Sequence, residues 1–346
     1  MGVTRDNRLY RRFRHGSSIL LSYASYLRSF VRRKRHVIRV WPEGEIEPGK
    51  HVALFVHFDR RERLAEHALA YVRELHANGF SVIFVSNAGR MSEESLTLLK
   101  PICRAVIVRR NVGYDFGALR EALDLLELPR ANTERLLITN DSVYGPLAPI
   151  ATMMARIDFG KADLWGTTDS WQYRYHLQSY FLVAGRRALT SPAWQAFWRS
   201  VRQVSSKRWV IIRYEVGLTQ ALLKAGLRCR PLWAYHDLLA RAAREPVELE
   251  TDASMSNPLE LMRGQAMHRI RTAAARTLPM NPTAELWRHL LLAGFPFLKA
   301  EMLRKNPAGV PDIADWRSVV ATLPDGDVEM IERDLQLQSG KRLCAP

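Results

Sequence analysis

Four apolar runs in this 346-residue chain end in side chains able to do chemistry. HVALFVHFD (51–59) ends in His57 and Asp59, and FSVIFVSNAG (80–89) in Ser86 and Asn87. CRAVIVRRN (103–111) ends in Arg110 and Asn111, and RLLITNDS (135–142) in Asn140, Asp141 and Ser142. An acid that closes a buried strand must either face a site or carry a desolvation cost. Asp141 can therefore accept from a sugar hydroxyl or ligate Mg²⁺ or Mn²⁺, both hard cations that prefer oxygen. A second stretch, N-V-G-Y-D-F-G (111–117), combines glycines with an acid. Gly113 lets backbone approach a ligand, and the helix opening near Phe116 offers free N–H groups to a phosphate. Asp115 reads two ways, as the cap of that helix or as a ligand contact.

These groups need a frame. Between the runs lie helical periods at 62–77, about 92–100 and 113–126, with Asn78-Gly79 and Pro101 as stops. Strands alternating with helices specify a parallel sheet covered on both faces. In such a sheet the ligand sits outside the carboxyl ends of the strands, so the four polar ends define one predicted site. Further on, ADLWGTTDS (162–170) reads as a strand and turn carrying Asp169, and HLQSYFLVAG (176–185) as a strand. His176, Gln178 and Tyr180 share one face of it at period two, as a polar floor under a sugar or as a solvent-facing side. Trp194, Phe197 and Trp198 at helical spacing read as core. RYEVGLTQALLKAGL (213–227) places Glu215 at a helix start, and His236 with Asp237 follows the next apolar segment and could close the site. Residues 50–240 thus form one α/β domain with its site at the strand ends, and residues 241–346 a mainly helical extension that completes the core or shapes one side of the site.

Several classes are excluded. G-x-G-x-x-G is missing after the first strand, G-x-x-x-x-G-K-[ST] is missing throughout, and so is G-x-S-x-G. Three separated cysteines supply neither a disulfide framework nor a cysteine zinc site, which favours a reducing compartment. The net charge of +16 is concentrated: residues 1–39 hold eleven Lys and Arg against one acid, leaving the other 307 residues at +6. A near-neutral body without a nucleic-acid-binding motif argues against nucleic acid as a partner. The arm contains 13 uncharged residues from His15 to Leu27, short of the ~20 needed to span a bilayer. Ile19, Leu20, Tyr23, Tyr26, Leu27 and Phe30 can share a helical face flanked by Arg28 and Arg32–Arg35, which suits an interfacial helix on an anionic membrane. The competing reading is a basic helix packed on the body. With regular structure starting only after PEGEIEPGK (42–50), residues 1–40 form a basic N-terminal arm.

The chain resembles the rhamnan-synthesis protein F family of bacterial surface-polysaccharide assembly. The resemblance rests on N111-V-G-Y-D-F-G-A-L, L137-I-T-N-D-S-V-Y-G-P-L, L164-W-G-T-T-D-S, H176-L-Q-S-Y-F-L-V and Y214-E-V-G-L-T. N281-P-T with Trp287, F295-P-F-L-K and N306-P add to it. It implies a GT-A-like fold, a mostly parallel Rossmann-type α/β sheet with flanking helices. It also implies a glycosyltransferase that uses a nucleotide-activated sugar, often a dTDP-linked 6-deoxyhexose, to extend a polysaccharide, with inversion following from the family's usual donor linkage. His57, Asp59, Asn87, Asn111, Gly113, Asp115, Asn140, Asp141 and Ser142 would then hold the donor, and Asp169, His176 and Gln178 the acceptor or sugar. The GT-A pattern makes a Glu or Asp opening a helix after the sugar-binding strand the general base, here Glu215; otherwise Glu215 complements the helix dipole.

One departure stands out. GT-A enzymes carry two acids as D-x-D, whereas this chain has Thr139-Asn140-Asp141. A divalent cation held by Asp141 and donor phosphates, with His236 as a weaker candidate ligand, is one solution. A metal-free site neutralised by Arg or Lys, with Arg109 and Arg110 nearby, is the other. The missing acid also motivates a non-catalytic GT-A-like subunit as the alternative function. The expected location is cytoplasmic, on the inner face of the plasma membrane, with a lipid-linked acceptor.

Overall fold

The computed structural model describes residues 22–27, 36–246 and 257–339. In chain order, β1 (Val37–Trp41) and β2 (His51–His57) are followed by α1 (Glu66–Ala77), β3 (Ser81–Ser86), α2 (Glu93–Leu99), β4 (Ala105–Arg109), α3 (Tyr114–Leu125) and β5 (Arg135–Asn140). Then come β6 (Val143–Tyr144), β7 (Leu164–Ser170), β8 (His176–Leu177), β9 (Phe181–Gly185), β10 (Cys229–Trp233) and, much later, β11 (Leu298–Lys299).

The main sheet runs β1-β4-β3-β2-β5-β9-β7-β10, with β8 added to β7. β2, β3, β4 and β5 are mutually parallel, and β10 is parallel to β7. β9 is antiparallel to both β5 and β7, and β1 is antiparallel to β4 at the edge. Two reversals at β9 leave β7 pointing the same way as β5, so β4, β3, β2, β5, β7 and β10 end on one side. Strand order turns back between β2 and β5. In an open α/β sheet that switch point is where a crevice opens for ligand.

Side-chain alternation explains why the run 51–57 reads as continuous apolar sequence. Ala53 and Phe55 pack into one core with Ala68, Val72 and Leu75 of α1, while Val52, Leu54 and Val56 face the other with Phe116, Leu119 and Leu123 of α3. A strand buried on both faces needs apolar residues at every position. Trp194, Phe197 and Trp198 are core, as their spacing indicates.

The fold class expected from the sequence is present: α/β, mostly parallel, with a helical C-terminal part that includes Pro258–Arg276 and Val328–Ser339. That part is continuous with the sheet's core. Trp287, Phe295, Phe297 and Trp316 pack in the same cluster as Phe55 and Tyr71.

Two boundaries shift. Regular structure begins before Pro42, because Val37–Trp41 pairs with β4, so the end of the expected arm belongs to the sheet. The expected strand 176–185 breaks into β8 and β9, with Gln178–Tyr180 between them. Most of the interfacial helix proposed for residues 1–39 lies outside the described residues. Within it, residues 22–27 are helical, and their aromatic side meets the body rather than solvent alone. Tyr26 stacks on Trp209 at 4.7 Å, Tyr23 meets the same ring edge-on at 5.2 Å, and the Ser25 hydroxyl accepts from the Ser205 N–H at 3.0 Å. Among the described residues no helix is long and apolar enough to cross a membrane.

Candidate active site at the strand ends

The crevice between β2 and β5 holds Asp141. The Asp141 N–H donates to the Val56 carbonyl at 3.1 Å, which extends the β2–β5 ladder past its last paired residue. The Asp141 carboxylate in turn accepts from the Phe58 N–H at 2.9 Å. His57 Nε2 lies 3.9 Å from the same carboxylate oxygen and has no hydrogen-bond partner, while its Nδ1 lies 3.2 Å from the Ser86 hydroxyl. Burial drives the His57 pKa down to about 4, against an upward pull from Asp59, so the ring is neutral at pH 7 and this contact is not an ion pair. Burial also pushes Asp141 up to about 6, with the Phe58 N–H and the charges of His67 and Arg304 pulling it back. A carboxyl this perturbed at a strand end marks a functional-site candidate.

Asp115 joins it. Its carboxylate accepts from Asn140 Nδ2 at 2.9 Å, which fixes the Asn140 amide so that its oxygen accepts from the Ser142 N–H and hydroxyl. Burial, then the Asp141 charge, raise Asp115 to about 6; Glu215 adds to the rise, while the Asn140 bond and Lys207 oppose it. The capping reading of Asp115 is overturned: the cap position of α3 belongs to Gly113, which has no side chain to cap with.

Gly113 also has a different task from the expected ligand approach. Its φ of +81° suits glycine, and a Cβ there would sit 2.3 Å from the Gln203 side-chain oxygen. Gln203 fills the space, donating to the Gly117 carbonyl at 3.0 Å, so packing explains these glycines.

Glu215 is brought in from the other half of the sheet. The sequence places it at a helix start. In the structure Lys207–Trp209 and the π-helical turn Val210–Glu215 run straight into the helix Val216–Lys224, so Glu215 sits inside a continuous helix. The helix-dipole reading therefore lacks its geometry. Single π turns recur at functional sites because the extra residue re-aims a side chain. Here Glu215 Oε1 accepts from both the N–H and the hydroxyl of Ser179, each at 3.0 Å. Ser179 is available because the strand breaks between β8 and β9.

Other candidates have structural duties. Asp59 is buried and accepts from the Arg61 N–H, Arg63 and Gln338, tying the loop after β2 to the C-terminal helix. The Asn87 side-chain oxygen accepts from Arg109. Arg109, expected to face a diphosphate, is completely buried and donates to Glu121, Asn87, the Val112 carbonyl and Gln203. It holds β4 to α3, and its burial keeps it away from a bound phosphate. Arg110 and Asn111 are exposed on the loop after β4.

On the acceptor side, Asp169 is buried and accepts from the Tyr235 N–H at 2.6 Å, serving the start of helix Tyr235–Arg244; burial raises its pKa. The solvent-facing reading of His176, Gln178 and Tyr180 fails, since all three are buried. His176 Nδ1 pairs with the Arg174 carbonyl at 2.8 Å. Gln178 accepts from Thr168 and donates to Asn281 and Thr283, which seams the sheet to the C-terminal part. His236 and Asp237 are exposed, with the His236 ring against Trp171 and Tyr235.

A Mg²⁺ or Mn²⁺ ion held by protein groups needs several oxygens converging. Thr139 is bonded to Tyr71 and to the Tyr180 carbonyl, and the Asn140 amide is taken up by Asp115 and Ser142. Among the described residues no three His, Cys, Asp or Glu side chains stand close enough to share a metal ion. The donor set does not fit a metal held by the protein alone, and Asp141 and His236 do not join in one ligand group.

The C-terminal part closes the crevice from the side. Leu298–Lys299 pairs antiparallel with Val143–Tyr144, immediately after Ser142. Gly145 makes this possible: a Cβ there would stand 2.4 Å from the Pro296 carbonyl, the same carbonyl that accepts from the Leu147 N–H at 2.8 Å. The V-Y-G-P and F-P-F-L-K stretches are thus two sides of one contact.

The family model for rhamnan synthesis protein F matches residues 82–281, from β3 to the turn after helix Pro258–Arg276. The chain belongs to the rhamnan synthesis protein F family. The matched span contains Asp115, Asp141, Ser179 and Glu215. Virulence protein VirA of Vibrio anguillarum is 29% identical over 277 residues, 78% of this chain and 84% of its own length. Solved structures align weakly. A cytidylyltransferase from Leptospira borgpetersenii covers 54% of this chain and 76% of its own at 10% identity, with a TM-score of 0.31. The galactosyltransferase LgtC, solved with donor and acceptor sugar analogs, covers 51% and 72% at 16% identity, with a TM-score of 0.29.

Proposed function

We propose that this member of the rhamnan synthesis protein F family is a GT-A-like glycosyltransferase. It moves a sugar, with a 6-deoxyhexose such as rhamnose the leading choice, from a nucleotide-sugar donor to a growing bacterial surface polysaccharide. The observation that carries the reading is the convergence of Asp141 and Asp115 at the switch point with Glu215 held by Ser179. Asp141 and Asn140 meet the donor at the crevice. Glu215 accepts the proton of the acceptor hydroxyl as that oxygen attacks the anomeric carbon. The bond from that carbon to the phosphate oxygen breaks, and its electron pair leaves with the nucleoside diphosphate. A single displacement of this kind inverts the anomeric centre.

The ordering of Glu215 by two hydrogen bonds to one oxygen leaves Oε2 to take the proton, a geometry suited to a positioned base. A lipid-linked acceptor on the inner face of the plasma membrane accords with a basic arm at residues 1–39. The second reading, a non-catalytic GT-A-like subunit, is favoured by the single acid in Thr139-Asn140-Asp141. A screen of nucleotide sugars for binding, hydrolysis and transfer by the purified protein separates the two. Transfer that is lost in Glu215→Gln supports the enzyme; neither binding nor turnover of any donor supports the subunit.

A further inference from the structure

Among the described residues five aromatic rings are exposed: Tyr23, Phe58, Tyr114, Trp171 and Tyr173. Tyr23 is turned onto Trp209, and the other four follow β2, β4 and β7 at the strand ends where the crevice opens. Phe58 and Tyr114 adjoin Asp141 and Asp115 there. The 171–175 loop, which joins β7 to β8, carries Trp171 and Tyr173. It borders a cleft of about 390 Å³ whose polar lining includes Gln172, Asn281 and Glu285. Lys299 and Glu301 add further charge to that lining.

Strand register fixes where the loop stands. Phe181 of β9 pairs with Thr139 of β5, and carrying that antiparallel register on brings Ser179 level with Asp141. β8 lies beyond that level, with His176 opposite Ser170 at the end of β7. The loop therefore overhangs the carboxyl edge on the side of Ser179 and Glu215. Helix Val216–Lys224, which follows Glu215, ties it down: Gln220 donates to the Tyr175 carbonyl at 2.7 Å, and the Leu177 N–H donates to the Thr219 hydroxyl at 3.1 Å.

The rings are exposed yet held. Trp171 is 44% exposed, the one exposed tryptophan among the described residues, and its ring meets Tyr175 and His236 at 5.1 Å each. Tyr173 is 66% exposed at a φ of +69°, a backbone region that a bulky side chain occupies only at a cost. Fixed aromatic faces beside a cleft of amides, carboxylates and an ammonium fit one class of ligand. A pyranose lays its C–H face on a ring while its hydroxyls bond to such groups. A bilayer would take the charges of Glu285, Lys299 and Glu301 out of water, and the core of a protein–protein interface is depleted of charge.

We propose that Trp171 and Tyr173 form a platform for the glycan acceptor, on which a pyranose unit stacks while its hydroxyls reach Gln172 and Asn281 in the cleft. The proposal rests on the transferase reading above. The platform grips the acceptor chain behind its reacting end, so that the hydroxyl to be glycosylated is presented to Glu215. The C-terminal part is then a component of the acceptor site, since it supplies the far wall of the cleft.

Calorimetric titration of the full chain with hexasaccharides of rhamnose, mannose, glucose and N-acetylglucosamine tests this, beside assays of binding and hydrolysis of dTDP-, UDP- and GDP-sugars. At least one hexasaccharide should bind the parent. Trp171→Ala and Tyr173→Ala should each weaken it about 10-fold or more, as truncation of an aromatic anchor does, and Trp171→Phe should keep most of the affinity. Tyr173→Ala, at the more exposed position, decides the matter if Trp171→Ala folds poorly. Leu98→Ala removes an exposed apolar side chain from α2, between β3 and β4 in the chain, and should bind as the parent does. Unchanged hexasaccharide affinity in both ring variants overturns the platform, and so does a loss of vesicle binding or self-association in them instead. If no hexasaccharide binds while a nucleotide sugar is bound or hydrolysed, the platform falls and the transferase reading stands. Hexasaccharide binding through the rings with no nucleotide sugar bound or hydrolysed keeps the platform and assigns it to a non-catalytic subunit. Neither ligand binding overturns both.

Discussion

Ser179 donates both its backbone N–H and its hydroxyl to a single oxygen of Glu215, each at 3.0 Å. A break in a strand and a π turn in a helix, 36 residues apart in sequence, meet in this contact. Each irregularity alone would weaken its element. Together they hold one carboxylate at the carboxyl edge of the sheet.

Glu215→Gln should therefore keep the fold, because its Oε1 can still accept both Ser179 bonds, yet lose the capacity to take a proton. General-base assistance contributes ~10²–10⁴ in rate, so transfer should fall by more than about 100-fold at unchanged donor affinity. Ser179→Ala removes the hydroxyl but not the N–H, and should give a smaller loss in kcat. Steady-state kinetics with binding measured separately checks both; equal losses in the two variants would assign Ser179 more than positioning.

Asp141 also predicts a pH signature. Its folded pKa of about 6 lies above the ordinary value of 3.8, so its protonated form contributes stability that is fully present below 3.8 and lost as pH rises through about 6. Asp141→Asn should melt higher than the parent at pH 7.5, and the difference should shrink as pH falls toward 4. Asp115→Asn should behave alike, since burial and the Asp141 charge raise its carboxyl in the same sense. Thermal melts across that range check the sign.

Arg109 separates a structural cation from a ligand-binding one. Glu121, which pairs with it at 2.8 Å, would be left without its partner in Arg109→Ala. Breaking a buried pair on one side costs about 3–5 kcal/mol. Denaturant unfolding should show a loss of that size, with donor affinity unchanged in the fraction that stays folded.

Much of the frame is legible in the sequence because it is local. The centres of runs such as HVALFVH and RLLITN are continuously apolar, as strands buried on both faces must be, and Asp141 stands out as the acid that follows one. What escapes a linear reading is set by pairings far apart in the chain. Val37–Trp41 looks like part of a basic arm until β4 is available to pair with it. Asp169 and Gln178 look like sugar ligands, yet they are bonded to Tyr235 and Asn281, 66 and 103 residues away. The H-L-Q-S-Y-F motif did contain the missed Ser179; period-two reasoning assigned weight to the residues on either side of it.

The basic arm gives a test outside the fold. Deleting residues 1–21 and replacing Arg28, Arg32, Arg33, Lys34 and Arg35 with alanine leaves Tyr26 on Trp209 and β1 in place. Binding to anionic vesicles at physiological salt should be lost while the melting temperature holds. Vesicle binding equal to that of the parent would remove the membrane from the account.

The most direct test of the central claim, that the crevice between β2 and β5 is the donor site, is a donor-affinity comparison of Asp141→Asn with Asp124→Asn. Asp124 lies on the outer surface of α3, half exposed and paired with Arg120, far from the strand ends. The account predicts that Asp141→Asn loses donor binding or turnover by about 10-fold or more, as removal of a charge-assisted contact would, while Asp124→Asn matches the parent. Wild-type affinity and rate in Asp141→Asn would contradict it and move the donor site elsewhere.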